Sequence, residues 1–404
     1  MSVVQPFRAL RPTPESAIRV ASVPYDVCST EEARALVEGN PDSFLHVIRA
    51  EIDFPPETDS HGAEVYRKGR ENLAALEERG ALVREETPSL YLYRQIMNGH
   101  AQTGLVGTYS VDEYDSGAIV KHEFTRPDKE ADRTAHVTTL GAQTGPVFLT
   151  YHASTELKSQ VASDQTAAPL FDLTSQDGVQ HTLWRVPDPA PYVAAFGSLD
   201  FLYIADGHHR SAAASNVRRA RVEAGAGPDD ASHHFLAVAF PSDEVQILPY
   251  NRIVHDLGQR TPESFLEALD GIGTLERDTG PTPESDDAVS VFAAGAWHTL
   301  RLTPQADDPV SRLAPSMLQD KVLGPLLGIT DPRKDDRISF VGGIRGTAEL
   351  EARVSRGEGL VAFSMPAVTV AQLIAVADAG QVMPPKSTWF EPKLRSGVLT
   401  YVLD

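Results

Sequence analysis

With 404 residues the chain is too long for one small core, so two or three domains are expected. Apolar residues make up 41% and charged residues 23%, an ordinary globular balance, and no run approaches the roughly 20 apolar residues of a membrane span. A net charge of −20 disfavours nucleic-acid binding, which rests on Lys and Arg meeting phosphates, but leaves room for a local basic pocket that takes a small anion.

The N-terminus lacks a basic region followed by an apolar stretch, and the single Cys28 makes no internal disulfide. Both features point to a cytoplasmic setting. Val20–Val23 reads as a strand ending at Pro24, with Tyr25 and Asp26 in the turn beyond it. Asp26 is either a turn residue or part of a ligand site. Ser29 or Thr30 caps a helix that stops at Gly39-Asn40. Residues 43–48 read as a strand and 51–60 as a loop. Residues 61–79 form an amphipathic helix with Gly80 at its end. Two strands then flank the hairpin turn Asn98-Gly99.

His122, Glu123, Thr125 and Arg126 precede Pro127 and a helix over 128–140. A metalloprotease signature needs a second His where Arg126 stands, so this is not one. The group is either a solvated loop with local ion pairs or a carboxylate base beside a phosphate-binding Arg. A strand at 147–151 and a helix near 154–162 follow, and the sequence carries little signal from there to 198.

Residues 201–205 read as a buried strand that stops at Asp206-Gly207. His208, His209 and Arg210 form a polar turn, and Ser211 opens an Ala-rich helix. A strand feeding a turn at a helix N-terminus is an anion site, because the first helical N–H groups lack internal partners. Arg210 adds a fork of donors, Gly207 lets backbone approach a ligand, and Asp206 can hold a divalent cation. Either histidine can equally be a structural hydrogen-bonding group. His233 and His234, at the next strand, read as surface.

Residues 256–313 alternate helix-like and strand-like pieces. Arg333, Lys334, Arg337 and Arg345 then surround the turn Gly342-Gly343, weak evidence for phosphate binding. The tail is rich in Pro, Lys and aromatics, with Lys386 beside Ser387, Thr388 and Trp389, and Lys393 just beyond. The expected organisation is an N-terminal α+β region over 1–105, a core over 106–255, and a C-terminal α+β domain over 256–404 whose basic tail returns to the site.

Five boxes carry a family resemblance: VPYDV at 23–27, NPDSFLHVIRAE at 40–51, KHEFTRPDKEADR at 121–133, ADGHHRSAAA at 205–214 and MPPKSTWFEPKL at 383–394. Together they resemble the domain-of-unknown-function family ten-fifteen of bacteria and archaea, grouped with the ParB/sulfiredoxin-like superfamily. The resemblance implies a mixed α/β (α+β) fold with a ParB/sulfiredoxin-like core. Free-serine kinases of that superfamily are similar at the HE pair, here His122-Glu123, and at DGHHR, here Asp206 to Arg210. That similarity implies an ATP-dependent, Mg-dependent kinase acting on the hydroxyl of a small amino acid, with free L-serine as the expected acceptor. Glu123 is then the base, and His122, His208 and His209 assist. Gly207, His209, Arg210, Ser211, Arg126, Arg133 and Lys386 hold the nucleotide phosphates, and Asp206 holds the metal. Sulfiredoxins use a Cys where His208 or His209 stands, so reductase chemistry is not expected. Two other readings stand beside the kinase: a non-catalytic nucleotide-binding regulator and a metal-dependent hydrolase. Partners are expected to be small molecules, with no nucleic acid and no membrane, and a homodimer is the assembly carried forward.

Overall fold

Asn98 and Gly99, with φ of 52° and 81°, close the expected hairpin between strands Tyr91–Met97 and His100–Ser110. Around that hairpin a large mixed sheet is built. The computed structural model describes residues 3–404. They divide into two units, one running through Val245 and including Pro392–Asp404, the other spanning Gln246–Glu391. Among the described residues no helix is long and apolar enough to cross a membrane.

In chain order the first unit contains β1 (Val4–Gln5), β2 (Ala9–Pro12), α1 (Ala17–Val20), α2 (Thr30–Leu36), α3 (Leu45–Ile48), α4 (Ala63–Glu78), β3 (Leu82–Arg84), β4 (Tyr91–Met97), β5 (His100–Ser110), α5 (Val111–Ser116), β6 (Ile119–Val120), α6 (Pro127–Leu140), β7 (Ala142–Gln143), β8 (Val147–Tyr151), α7 (Thr155–Asp164), β9 (Phe171–Thr174), β10 (Gln180–Arg185), α8 (Ala190–Gly197), β11 (Leu202–Asp206), α9 (His208–Glu223) and β12 (His234–Pro241). The large sheet has the order β6-β11-β8-β12-β5-β4-β10-β9, with β1 beside β5. β8 runs parallel to β12, and β11 parallel to β6; the other pairs are antiparallel. One core packs Leu92, Leu149, Phe235 and Ile204 of the sheet against Tyr114, Leu157, Phe196 and Ala212 of the helices. A second core joins Phe44, Leu73, Leu76 and Leu140 to the small sheet formed by β3, β2, the C-terminal strand Thr400–Val402 and β7. The mixed α/β class expected from the sequence is therefore the class observed.

Several local expectations differ from the structure. The apolar run expected as a strand at 43–48 is α3, with Leu45, Val47 and Ile48 all buried. A run of one helical turn, buried at three of its four positions, is too short to show an amphipathic period, so its pattern does not separate strand from helix. Val20 likewise ends α1, and Ser22 makes only an isolated bridge to Ser396. Residues 171–185 form β9 and β10, and 190–197 form α8, where the sequence carried little signal. The expected boundary at 105/106 falls inside β5, whose pairing with β4 makes the N-terminal region and the core one sheet.

The second unit contains β13 (Gln246–Leu248), β14 (Tyr250–Val254), α10 (Pro262–Asp270), β15 (Thr274–Arg277), β16 (Ala288–Ala293), β17 (Ala296–Arg301), α11 (Ala314–Leu318), a π-helical turn at Gln319–Leu323, α12 (Gly324–Leu327), β18 (Ile338–Gly342), α13 (Gly346–Ser355), β19 (Val361–Ser364), α14 (Val370–Asp378) and β20 (Trp389–Glu391). Six strands form its sheet in the order β15-β17-β16-β19-β14-β18. β14 lies between β18 and β19, so the unit begins at Gln246 rather than at the expected 256. The basic Gly-Gly turn has a packing explanation. A Cβ on Gly342 would come within 2.9 Å of the Trp389 ring, and one on Gly343 within 2.6 Å of the Pro249 carbonyl oxygen. Arg333 forks onto Asp331 and Arg337 onto Asp335, so nearby carboxylates offset both charges.

Candidate active site

β11 leaves the sheet at an irregularity. Its register to β8 shifts between Ile204 and Asp206, a bulge that re-aims the Asp206 side chain. Gly207 follows with φ of 102° and caps α9, which starts at His208, three residues before the expected start at Ser211. A left-handed cap suits glycine, and a Cβ there would also lie 3.0 Å from Arg210 Nε. The space left by Gly207 allows the Arg210 side chain to fold back. Its Nη1 donates to the Pro146 carbonyl, and its Nη2 lies 3.7 Å from Asp206 Oδ2.

The second cation at Asp206 is Lys393, whose Nζ lies 3.4 Å from the same oxygen. Lys393 is held by its backbone, since its carbonyl accepts from Gln95 Nε2 at 2.9 Å. Burial alone would raise the Asp206 pKa, but Lys393, Arg210 and His208 together take it well below the usual carboxylate range. Asp206 is thus an ionised anchor for two cations.

Beside this group His122 and His208 stack edge to face with ring centroids 4.6 Å apart. Both are buried, at 1% and 5% exposure. Among the described residues neither ring nitrogen of His122 has a hydrogen-bond partner, nor has Nε2 of His208. Burial pushes the His122 pKa down to about 4, and burial with the neighbouring His122 takes His208 well below its ordinary value. Glu123, in the loop before α6, sets its carboxylate 3.8 Å from His208 Nδ1 and keeps about half its side chain exposed. Ligand atoms of His122, Glu123 and His208 all lie within 4.8 Å of one another.

α6 starts at Pro127, whose missing N–H costs nothing in the first helical turn. It packs along α9, where Asn216 Nδ2 donates to Thr134 Oγ1 of α6 at 3.4 Å. His209 Nε2 accepts the Arg126 backbone N–H at 3.0 Å, which ties the two helix starts together. Burial lowers the His209 pKa, in keeping with that acceptor role. A cleft beside Arg210 is lined by Tyr25, Arg133, His136, Thr144, Arg210 and Ser396.

In sequence, residues 4–320 match the model of a family described as a protein of unknown function (DUF1015). The chain belongs to that family. The match stops before the expected box at 383–394, so the tail of this DUF1015 protein lies outside it. No curated protein matches the sequence. Among solved structures, a free serine kinase mutant in complex with AMP is 15% identical, with a TM-score of 0.37 over 71% of this chain and 87% of its own. A C-terminally truncated SbnI from Staphylococcus aureus is 11% identical, with a TM-score of 0.38 over 71% and 82%. A conserved hypothetical protein from Pyrococcus furiosus is 15% identical, with a TM-score of 0.36 over 72% and 93%. Superpositions this loose establish neither fold nor function.

Of the residues singled out in the sequence, His122, Glu123, Asp206, Gly207, His208, His209 and Arg210 gather at the start of α9 in the DUF1015 chain. Others are committed elsewhere. The Ser211 hydroxyl donates to the carbonyls of Gly207 and His208 in its own helix rather than pointing outward as a phosphate donor. Arg126 is exposed and forks onto Asp128 at 3.2 and 2.8 Å. Arg133 pairs with Asp132 at 2.7 Å and lies over the Tyr25 ring at 4.0 Å. Lys386 belongs to the second unit, where its ammonium lies over the Tyr250 ring and its carbonyl accepts from Arg252. The residue that meets Asp206 is Lys393, seven positions on (393 − 386), and no spacing rule connects it to DGHHR. Tyr25 was visible only as a turn residue.

Proposed function

We propose that this DUF1015 protein is an ATP-dependent phosphotransferase that acts on the hydroxyl of a small amino acid, with free L-serine as the first acceptor to test. One observation carries the reading: a carboxylate, Glu123, stands beside the first turn of α9, where the cations Arg210 and Lys393 meet on Asp206. Phosphoryl transfer asks the protein mainly for alignment and charge neutralisation, with a base for the acceptor. Arg210, Lys393 and the N–H groups of α9 are suited to hold phosphate oxygens. Glu123 is exposed enough to meet an acceptor hydroxyl and take its proton. Asp206 keeps Arg210 and Lys393 in place through Oδ2, so a Mg²⁺ held by this carboxylate would have to use its other oxygen. Bound there, the ion would offset phosphate charge.

The test is purified protein with Mg²⁺, ATP or ADP, and serine, threonine or homoserine, followed by phosphorus NMR. Phosphoserine formation that Glu123→Gln abolishes while nucleotide still binds supports the kinase. Nucleotide binding without turnover on any acceptor favours a regulatory module instead.

A second reading rests on the His122–Glu123–His208 group. Two imidazoles and a carboxylate suit zinc or a similar transition metal better than Mg²⁺, which prefers oxygen ligands. A hydrolase of that kind requires stoichiometric metal in the isolated protein. Elemental analysis that finds well under one equivalent removes it.

A further inference from the structure

We propose that the second unit carries its own binding site, centred on Arg252, for a small organic carboxylate that bears a hydrogen-bond donor, such as an amino or hydroxy acid. Arg252 lies on β14 and is only 4% exposed. Its Nη1 donates to the Tyr250 carbonyl and its Nη2 to the Lys386 carbonyl at 3.1 Å, while Nε has no hydrogen bond to the protein. Among the described residues no carboxylate pairs with it, and the Phe340 ring lies 5.6 Å from the guanidinium carbon. A buried charge without a counterion is costly, and two carbonyl dipoles offset only part of that cost.

The same side chain lines a cavity of about 280 Å³. That is near the lower end of small-molecule pockets, roughly 300–1,000 Å³. Pro315, Leu323, Pro332, Phe340, Pro384 and Pro385 give it apolar walls. Arg333 also lines it, but forks onto Asp331 at 2.9 and 3.0 Å, so that pair adds no net charge. One unmatched positive charge among apolar walls calls for a monoanion, and a guanidinium matches a carboxylate in shape. A phosphate would need more donors than the cavity offers. Gln319, another lining residue, donates Nε2 to the Ile329 carbonyl at 2.7 Å, while its Oε1 has no partner. That amide oxygen calls for a donor on the ligand. Gln319 also opens the π-helical turn, a local widening frequently found at functional sites.

Calorimetry and ligand-observed NMR on the full chain, with L-alanine, L-lactate, propionate and inorganic phosphate as probes, test the proposal. Alanine or lactate should bind and propionate should bind more weakly. Arg252→Met should weaken binding about tenfold or more, as loss of a buried charged hydrogen bond does, whereas Arg210→Met in the first unit should leave it unchanged. Should Arg252→Met fail to fold, Thr330→Trp, at an exposed lining position, should block the cavity and abolish binding in a folded protein. No binding of any carboxylate at millimolar concentration, phosphate binding in preference to carboxylate, or equal binding by wild type and Thr330→Trp would each overturn the proposal.

Discussion

Lys393 Nζ meets Asp206 Oδ2 at 3.4 Å across 187 positions of sequence, so the C-terminal tail completes the charge balance at the start of α9. Both side chains are largely screened from solvent, at 19% and 33% exposure. Removing Lys393 leaves Asp206 with Arg210, 3.7 Å away, and less well compensated. Lys393→Met should therefore destabilise the protein by about 1–3 kcal/mol, the range for a partly buried, charge-assisted contact. In a double-mutant cycle with Asp206→Asn the losses should be non-additive by about 1 kcal/mol. Urea unfolding of the four proteins measures this, and strictly additive losses would show that the pair is not coupled.

Gly207 carries two requirements at once, a φ of 102° and room for the Arg210 side chain. Gly207→Ala should cost about 1–2 kcal/mol of stability from backbone strain alone. It should also displace Arg210 from the Pro146 carbonyl. If phosphate oxygens are held by Arg210, nucleotide affinity must fall with the same substitution. Retained affinity in the destabilised protein would separate Arg210 from the anion site.

Much of the first unit was legible in the sequence. The cap, Ser29 of the two candidates, and the Asn98-Gly99 turn are local devices, and the structure forms both. Asp206 to Arg210 was recognisable as a group because strand, glycine and helix are adjacent in sequence. What remained hidden was set by tertiary contacts. α3 buries Leu45, Val47 and Ile48 in a single turn and so shows no amphipathic period, and although the tail was expected at the site, no local pattern says that Lys393 rather than Lys386 meets Asp206. The early start of α9 has a similar origin. His208 and His209 are poor helix formers by themselves, but His208 is buried against His122 and His209 accepts the Arg126 N–H, so packing overrides propensity.

The tail also carries Arg395, 4% exposed, whose Nε donates to His181 Nε2 at 3.2 Å and whose Nη2 pairs with Asp177. Leu394, Val398, Leu399 and Leu403 are buried around it, and Thr400–Val402 pairs with β2 and β7. A chain ending at Glu391 would expose those partners and break the small sheet. It should be recovered as aggregate or as a species with lost near-ultraviolet dichroism. Arg395→Met alone should cost about 1–3 kcal/mol, since it removes a buried guanidinium from Asp177 and His181, although both keep Ser175 as a partner. A soluble truncated chain with wild-type unfolding behaviour would refute this role for the tail.

Acid should unfold the protein earlier than its surface carboxylates require, because several histidines are held neutral. Burial pushes the pKa of His122 down to about 4; burial, reinforced by Arg133 for His136 and by Arg395 for His181, pushes those two down to about 3. In the unfolded chain all three titrate near 6.5. Above that pH neither state binds the proton and stability is at its full value. As pH falls below it, the unfolded state takes up protons that the folded state refuses, so stability drops until the folded pKa values are reached. Each group contributes a slope of at most about 1.4 kcal/mol per pH unit between pH 6.5 and 4. Urea midpoints measured at about pH 7.5, 6.5, 5.5 and 4.5 should fall slightly across the first interval, by the equivalent of about 0.4 kcal/mol per group, and steeply after it. His181→Gln should remove about one proton from the slope. A flat profile down to about pH 5 would mean that these rings are not held neutral by the fold.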